Sequence, residues 1–195
     1  MINSSDDTGR RAAAAFAQRF AQRGGSVAAT IAISETVGDV SAQVRNAGAV
    51  DAVFLAVRAP QARLLAPQLA LAGAGGATRV GTSQLTVGSG KVEEDVALDG
   101  IVYPNEAWNV RSVSGVPSAA QVAQTLPSAR GAASRLFAFG ADAWKISAYL
   151  DKLATEGGLD GATGTLYLDS NGNILRQPAW STFSGGRPMP IAGGR

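Results

Sequence analysis

Cysteine and histidine are both absent from the 195-residue chain. Without histidine there is no Ser-His-Asp triad, and without cysteine there is no thiolate nucleophile and no disulfide. Zinc and related metals also lose their preferred ligands. An enzyme built on this sequence would have to use Asp, Glu, Lys, Tyr or Ser alone. We therefore predict a protein with no catalytic residue, no metal and no cofactor, and an α/β enzyme is the least favoured alternative.

Long apolar runs and a strong net charge are also missing. No stretch of about 18 apolar residues occurs, so no membrane span is encoded, and no basic–apolar–small leader suggests a signal peptide in these residues. The 17 Lys and Arg residues nearly balance 15 Asp and Glu residues. Arg10, Arg11, Arg19 and Arg23 are spread along one predicted helix, which favours a solvated surface over a nucleic-acid-binding patch. We expect no nucleic-acid partner.

Helix and strand patterns alternate through the first hundred residues. The run DAVFLAV at 51–57 is apolar on both faces, which is typical of a central strand in a parallel sheet covered by helices. Such alternation implies right-handed strand–helix–strand crossovers and a parallel sheet. The predicted strands are 1–3, 26–33, 51–57, 78–82 and 99–103. The first predicted helix is capped by Ser4, Ser5, Asp6 or Asp7 and runs to about Arg23. The other predicted helices are 39–47 and a segment from Pro60 that Pro67 bends or interrupts.

Helical spacing also predicts which side chains face the core. The inward set is Ala13, Phe16, Ala17 and Phe20 on the first helix, and Leu64, Leu65, Leu69 and Leu71 on the third. Ligand sites in parallel sheets lie outside the carboxyl ends of the strands. Ser4, Ser83, Gln84 and Asn105 all follow predicted strands, so Ser83, Gln84 and Asn105 are candidate ligand or partner contacts.

The pattern changes after Pro104. A looser connector contains Pro117 and Pro127 with a short helix predicted at 118–126. An amphipathic helix then runs to Gly157 and Gly158, which end it. The strands 164–168 and 174–176 flank an Asn-Gly turn and form a predicted β-hairpin.

Three local motifs are explained better without special chemistry. The stretch 88–91, Gly-Ser-Gly-Lys, lacks the first glycine and the final hydroxyl of a phosphate loop, so we interpret it as part of a polar loop spanning 83–96. The stretch 169–173 lacks the glycine position and bidentate Glu of a calcium loop, so a hairpin turn is favoured. The acidic run Glu93, Glu94 and Asp95 is predicted to be solvated. Trp108 and Trp180 are either surface anchors for a partner or core residues.

Four segments carry a family resemblance, in an order and spacing that cover nearly the whole chain. They are GTSQL at 81–85, LDGIVYPNEAW at 98–108, RLFAFGADAWK at 135–145 and GATGTLYLDSNGNILRQPAW at 161–180. This set resembles type I periplasmic-binding-protein-like modules and, more narrowly, the LppC-type penicillin-binding protein activators. The resemblance implies an α/β fold with a mainly parallel sheet flanked by helices. Residues 1–104 would form one lobe, and residues 105–195 a crossover connector, helix and hairpin returning to a partner lobe.

The resemblance also implies a function. Such proteins are outer-membrane lipoproteins that reach through the periplasm and stimulate a class A penicillin-binding protein, a peptidoglycan synthase, without catalysis of their own. The lipid-bearing cysteine, the only membrane contact expected, would lie upstream of this chain. The alternative is a solute-binding or sensory lobe for an amino-acid-like ligand. In amino-acid-binding relatives an aspartate in the position of Asp142 can meet a ligand ammonium, whereas here helix capping or an inter-lobe contact is favoured. Ala141 replaces the tyrosine that often precedes this aspartate, so no tyrosine contact is expected.

Overall fold

The computed structural model describes residues 1–86 and 91–191, which fall into two compact units. Unit 1 comprises Met1–Tyr103 and Phe183–Arg187, and unit 2 comprises Pro104–Thr182 and the residues from Pro188 onward. The phosphate-loop-like stretch at 88–91 has its first three residues outside the described part.

The elements alternate as the sequence predicts. The strands are β1 Ile2–Ser4, β2 Ile31–Ile33, β3 Ala52–Ala56, β4 Thr78–Gly81, β5 Val102–Asn105, β6 Leu159–Gly161, β7 Gly164–Leu168, β8 Ile174–Gln177, β9 Ala179–Ser184 and β10 Arg187–Pro190. The α-helices are α1 Asp7–Gln22, α2 Ser41–Asn46, α3 Ala59–Leu69, α4 Val92–Asp95, α5 Ala119–Thr125, α6 Ser134–Ala148 and α7 Leu150–Thr155. A π-helical segment covers Ala70–Ala74, and 3₁₀ turns cover Ser83–Thr86, Val96–Leu98, Ala107–Asn109, Pro127–Ala129 and Gly131–Ala133.

The main sheet confirms the predicted α/β class. It has seven strands in the order β10-β9-β5-β4-β3-β1-β2. The pairs β1–β2, β1–β3, β3–β4 and β4–β5 are all parallel. Helices follow the strands of unit 1 in the chain, as right-handed crossovers require. The fold is therefore α/β with a mainly parallel sheet flanked by helices.

The inward faces of two helices differ from the prediction. Leu65 and Leu69 are fully buried as expected, but Leu64 and Leu71 are 57% and 83% exposed. Pro67 does not end α3, which continues to Leu69 and then into the π-helical segment. The wider π turn changes the residue period, and Gly73 at φ 90° leaves the helical conformation altogether. Residues after Leu69 therefore no longer follow the 3.6-residue stripe.

The end of α1 also departs from its predicted face. Phe20 is 40% exposed, although the helical spacing places it inward. Its ring stacks on Phe16 at 5.2 Å between centroids, and Phe16 stacks on Phe54 of β3 at 3.9 Å. Phe20 therefore gains its contact from a neighbouring ring on the same helix instead of from the sheet.

Two predicted strands and one predicted loop need correction. Only Ile31–Ile33 of the predicted strand 26–33 joins the sheet. The strand predicted at 99–103 begins at Val102, because Gly100 has φ 80° and the Asp99 carboxylate accepts the amides of Gly185 and Gly186, both at 2.9 Å. These contacts give Asp99 a turn-forming role that is incompatible with a regular ladder.

The described part of the predicted loop 83–96 is partly helical. It contains the 3₁₀ turn Ser83–Thr86 and α4. Asp95 is 4% exposed and pairs with Arg63 at 2.5 Å, so the prediction of a solvated acidic run is wrong for this residue. A buried carboxylate needs such a partner, because desolvation alone would disfavour its charge.

Unit 2 contains the predicted hairpin in a three-stranded sheet of order β6-β7-β8. β7 and β8 pair antiparallel, and β8 is exposed along its whole length. In the turn, Asp169 accepts hydrogen bonds from the side chain and amide of Asn173 and from the amide of Asn171, which lowers the pKa of the Asp169 carboxyl. Residues 169–173 therefore form a hairpin turn, although the spacing of their polar side chains resembles that of a calcium loop. The predicted long helix before the hairpin is divided at Tyr149 into α6 and α7.

The start of α1 depends on one glycine. Asp6 caps the helix by accepting the Gly9 amide at 2.7 Å, a bond that lowers the pKa of the Asp6 carboxyl. A Cβ on Gly9 would lie 2.5 Å from the backbone oxygen of Ser4, closer than real contacts allow. Gly9 therefore permits the close approach of α1 to the end of β1.

We expect Gly9→Ala to lower the free energy of unfolding by about 1–3 kcal/mol, because backbone must move to relieve the overlap. Gly140→Ala is the matched helical control. Nothing lies within 4 Å of a Cβ on Gly140, so alanine there should raise the free energy of unfolding by roughly 0.5–1 kcal/mol. Urea unfolding followed by circular dichroism measures both. Equal stability of the Gly9 variant and the unsubstituted protein would contradict the close-packing argument.

Candidate functional site

Asp142 is the most completely coordinated of the predicted site residues. It lies in α6 and is 1% exposed. One carboxylate oxygen accepts the Ala162 amide at 2.5 Å, and the other accepts both the amide of Thr163 at 2.9 Å and its hydroxyl. Ala162 and Thr163 form the turn between β6 and β7, where Gly161 pairs with Gly164. The carboxylate therefore satisfies turn amides that the strand ladder leaves unused.

The two glycines around this turn make the contact possible. A Cβ on Gly161 would lie 2.8 Å from the Asp142 carboxylate, so only glycine allows the approach. Gly164 has φ 139°, and a Cβ there would lie 2.2 Å from the backbone oxygen of Gln177. The segment 161–164 can therefore pack against the Asp142 carboxylate at its first residue and against the backbone of β8 at its last. Asp142 does not cap a helix end, which corrects that alternative.

Trp108 joins the same turn from another direction. Its amide donates to the Ala162 oxygen at 2.9 Å, and its indole N–H donates to the Pro117 oxygen at 2.6 Å. The ring stacks on Phe137 of α6 at 4.8 Å, and the residue is 3% exposed. Of the two interpretations of Trp108, surface anchor or core residue, the structure places it in the core of unit 2. Trp180 is half-buried.

Asn105 lies beside a buried ion pair. Glu106 is 5% exposed and accepts the Arg135 Nε at 2.7 Å. Asn109 bridges Asn105 and Glu106, because its side-chain nitrogen Nδ2 lies 3.4 Å from a side-chain oxygen of each. Within the described residues, the Nδ2 of Asn105 is buried with no hydrogen-bond partner. An unpaired buried donor costs about 1–3 kcal/mol, so this atom is a reasonable contact for a ligand or partner.

Lys145 does not pair with Asp142, although the two are three residues apart on α6. Its Nζ donates instead to the backbone oxygens of Asp160 at 2.6 Å and Ser114 at 3.2 Å. Nearby, Arg111 pairs with the Asp160 carboxylate at 2.8 Å, with both side chains 43% exposed. Lys145 therefore connects α6 to β6 and to the connector.

These contacts give a structural role to three of the segments that carry the family resemblance. The segment 98–108 contributes Glu106 and Trp108, the segment 135–145 contributes their partners Arg135 and Phe137, and the segment 161–180 supplies the turn that Asp142 holds. The functional groups in these segments mostly bind one another. Sequence reasoning missed Glu106, Arg135 and Thr163 as parts of this network. The sequence feature that points to this network is the pair Gly161 and Gly164, which flank the short turn at Ala162 and Thr163.

Ser83 and Gln84 lie in unit 1, where their turn begins two residues after the end of β4. Their 3₁₀ turn is anchored by Leu85, which is fully buried and packs so closely on Gly81 that a Cβ there would lie 2.3 Å from its methyl group. Ser83 and Gln84 are half-buried. Among the described residues, the Gln84 Oε1 and the Thr86 hydroxyl are buried without a hydrogen-bond partner. This edge of the sheet, where the strands end, therefore has unused hydrogen-bonding capacity.

The described residues also bear on metal binding and on membrane insertion. Residues 1–86 and 91–191 contain no cluster of three or more acidic side chains arranged to hold a metal ion. In the same part of the chain, every helix is too short or too polar to cross a membrane.

Comparison with known proteins identifies the family to which the chain is similar. The model of the family described as LppC putative lipoprotein matches residues 32–186. The penicillin-binding protein activator LpoA of Enterobacter sp. (strain 638) is 25% identical over 157 residues, which cover 77% of this chain and 21% of the relative. The chain thus spans about a fifth of the length of that curated relative.

Solved structures share the fold. The LpoA (YraM) C-domain from Haemophilus influenzae, described as a regulator of PBP1A, has a TM-score of 0.71 at 19% identity, covering 97% of this chain and 60% of that one. A putative branched-chain amino acid ABC transporter protein from Rhodospirillum rubrum has a TM-score of 0.67 at 21% identity, covering 97% and 59%. Because the family model matches most of the chain, this protein belongs to the LppC putative lipoprotein family.

Proposed function

We propose that the chain is a non-catalytic module of a penicillin-binding protein activator. The observation that carries this proposal is the match of the LppC family model over residues 32–186. Its curated relative is named a penicillin-binding protein activator, and the similar C-domain is described as a regulator of PBP1A. The proposed partner is a class A penicillin-binding protein, and the proposed location is the periplasm, in a protein anchored to the outer membrane.

The contacts of unit 2 support action by binding. Catalysis needs groups held ready for a substrate, whereas the buried polar side chains here are mostly paired within the chain. Asp142 takes its hydrogen bonds from Ala162 and Thr163, and Glu106 pairs with Arg135. An activator without chemistry works by binding the active conformation of its partner more tightly than the inactive one.

An exposed apolar face on α6 supports the predicted return of residues 105–195 to a partner lobe. Leu136 and Trp144 are 74% and 67% exposed, and their separation of eight residues places them about 80° apart around the axis of α6. Large apolar side chains grouped on one face mark a surface that another protein body covers. The two-lobe arrangement stays a prediction, with this face as the proposed contact on unit 2.

The test is the turnover of a purified class A penicillin-binding protein from the same organism. We expect the activator that carries this chain to bind the synthase in a pull-down and to raise its rate of glycan polymerisation or crosslinking. The matched control is a solute-binding protein of the same fold, such as the Rhodospirillum rubrum protein, which should do neither. No capture and no change in rate would contradict the proposal.

The solute-binding alternative has its own observation. The buried Gln84 Oε1 and Thr86 hydroxyl, unpaired within the described residues, could bind a small polar ligand at the carboxyl edge of the unit 1 sheet. Asp142 argues against an ammonium contact, because three donors already occupy it. A rise in melting temperature with an amino acid, together with no effect on the synthase, would favour this alternative.

A further inference from the structure

A cavity with a volume of about 460 Å³ lies beside α6 in unit 2. All of the residues that line it fall between Ser114 and Asp160, so the cavity belongs to unit 2 alone. Phe137, Ala141 and Trp144 form its helical wall, at spacings of four and three residues along one stripe of α6. Ala141 has the shortest side chain of the three and leaves room between the two aromatic residues.

Two hydrogen bonds fix the connector that forms another wall. Residues 114–117 of the connector line the cavity. The Lys145 Nζ donates to the Ser114 oxygen at 3.2 Å, and the Trp108 indole N–H donates to the Pro117 oxygen at 2.6 Å. The segment is thus held at both of its ends by side chains of unit 2. The cavity therefore has the preformed character of most sites for small molecules.

Aromatic side chains mark the entrance of the cavity. The rings of Trp144 and Tyr149 meet edge to face at 6.5 Å and 81°, so they form a corner. Trp144 is 67% exposed and Tyr149 is 46% exposed, which opens this corner to solvent. Leu159 also lines the cavity and is buried. An apolar group that enters between these side chains leaves water and contacts several of them.

The charged side chains of the lining favour an anion. Asp160 pairs with Arg111 at 2.8 Å. Lys152 pairs with Glu156 at 3.4 Å, but both side chains are more than half exposed, and such a pair is weak. Lys145 donates to two neutral backbone oxygens and has a third N–H in addition. Lys145 and Lys152 can therefore both donate to an anionic group in the cavity.

We propose that this cavity binds a small apolar molecule that carries one anionic group. Pockets for small ligands are typically about 300–1,000 Å³ and mostly apolar, with a few polar groups that fix the orientation of the ligand. The apolar part lies against Trp144 and Tyr149, and the anionic group accepts charge-assisted hydrogen bonds from Lys145 and Lys152. The two lysines disfavour a cationic ligand, which the aromatic corner alone would attract. The proposal is independent of the proposed activator function.

The experiment compares three compounds that share one ring system and differ in charge. Anionic indole-3-acetate, uncharged indole and cationic tryptamine are each titrated into the 195-residue chain by isothermal calorimetry. We expect saturable binding of indole-3-acetate, with an affinity at least about fivefold higher than that of indole. Tryptamine should bind more weakly than indole, because the lysines repel it. Equal affinities for the three compounds would overturn the proposal.

A pair of lysine variants tests the anionic contact. Lys152→Met removes a charge from the lining and keeps the length of the side chain, so the preference for indole-3-acetate over indole should fall at least about threefold. Lys91→Met is the matched control, because Lys91 also pairs with a glutamate on the same helix turn but lies in unit 1. It should leave the preference unchanged. The same result in both variants would contradict the role of Lys152.

Two further variants test the position of the ligand. Ala141→Leu fills the cavity without a change of charge, so the affinities for indole-3-acetate and indole should both fall at least about tenfold. Leu136→Ala removes a side chain that is 74% exposed on the same helix and outside the lining, and it should leave both affinities unchanged. Leu136→Ala thereby separates this site from the proposed partner-lobe contact, which shares Trp144. An absence of saturable binding, or full affinity in the Ala141 variant, would overturn the proposal.

Discussion

Asp142→Ala lowers the free energy of unfolding by about 3–5 kcal/mol, the largest effect we expect for a polar substitution in this chain. The carboxylate is 1% exposed and holds the amides of Ala162 and Thr163 together with the Thr163 hydroxyl. Alanine leaves these donors buried without an acceptor, and each unpaired donor costs about 1–3 kcal/mol. Urea unfolding followed by circular dichroism measures the change.

Asp160→Ala is the matched control for this experiment. Asp160 is also a carboxylate of unit 2 in an ion pair, but its side chain and that of Arg111 are both 43% exposed. Exposed pairs contribute roughly 0–1 kcal/mol, so the control should stay close to the unsubstituted protein. Asp142→Asn keeps one acceptor oxygen and should fall between the two. Equal losses for Asp142→Ala and Asp160→Ala would show that the carboxylate does not hold the turn.

Leu85→Ala lowers the free energy of unfolding by about 2–5 kcal/mol, because a fully buried side chain is replaced by a cavity. The effect should be greatest in the 3₁₀ turn that carries Ser83 and Gln84. Leu85 anchors that turn against Gly81. Amide hydrogen exchange of the turn should therefore accelerate, in addition to a lower urea midpoint.

Leu71→Ala serves as the control for the loss of a leucine. Leu71 is 83% exposed, so its truncation should change the free energy of unfolding by less than about 0.5 kcal/mol. It should also leave hydrogen exchange at Ser83 and Gln84 unaltered. If both leucine variants lost the same stability, burial of Leu85 would not be the reason for its importance.

Local signals predicted the regular parts of the fold well. The Asn-Gly turn between β7 and β8 depends on neighbouring residues, so the sequence is sufficient for it. For the cap of α1 the sequence leaves four adjacent candidates, of which the structure shows Asp6 in that role. The start of β5 could not be found this way. It depends on Asp99 binding Gly185 and Gly186, whose positions follow only from the folded chain.

In the candidate site, too, the sequence indicates single residues but not the contacts that depend on the folded chain. Asp142 could be selected through the family resemblance, but its partners Ala162 and Thr163 are about twenty residues away and were not identified. The sequence leaves Trp108 open between surface and core, since it does not show that Phe137 covers the ring of Trp108. The binding roles of Ser83, Gln84 and Asn105 stay predictions, although the unpaired atoms of Gln84 and Asn105 are consistent with them.

The exposed strand β8 has a consequence for self-association. A strand at the border of a sheet offers unpaired backbone groups that can recruit another chain and start aggregation. β8 is short, and Pro178 follows it directly, which removes one donor next to the open border. Arg176 adds a positive charge within the strand and lies 4.2 Å above the ring of Phe139. Substituting uncharged β-branched residues at these two positions would remove that protection and favour fibrous assemblies.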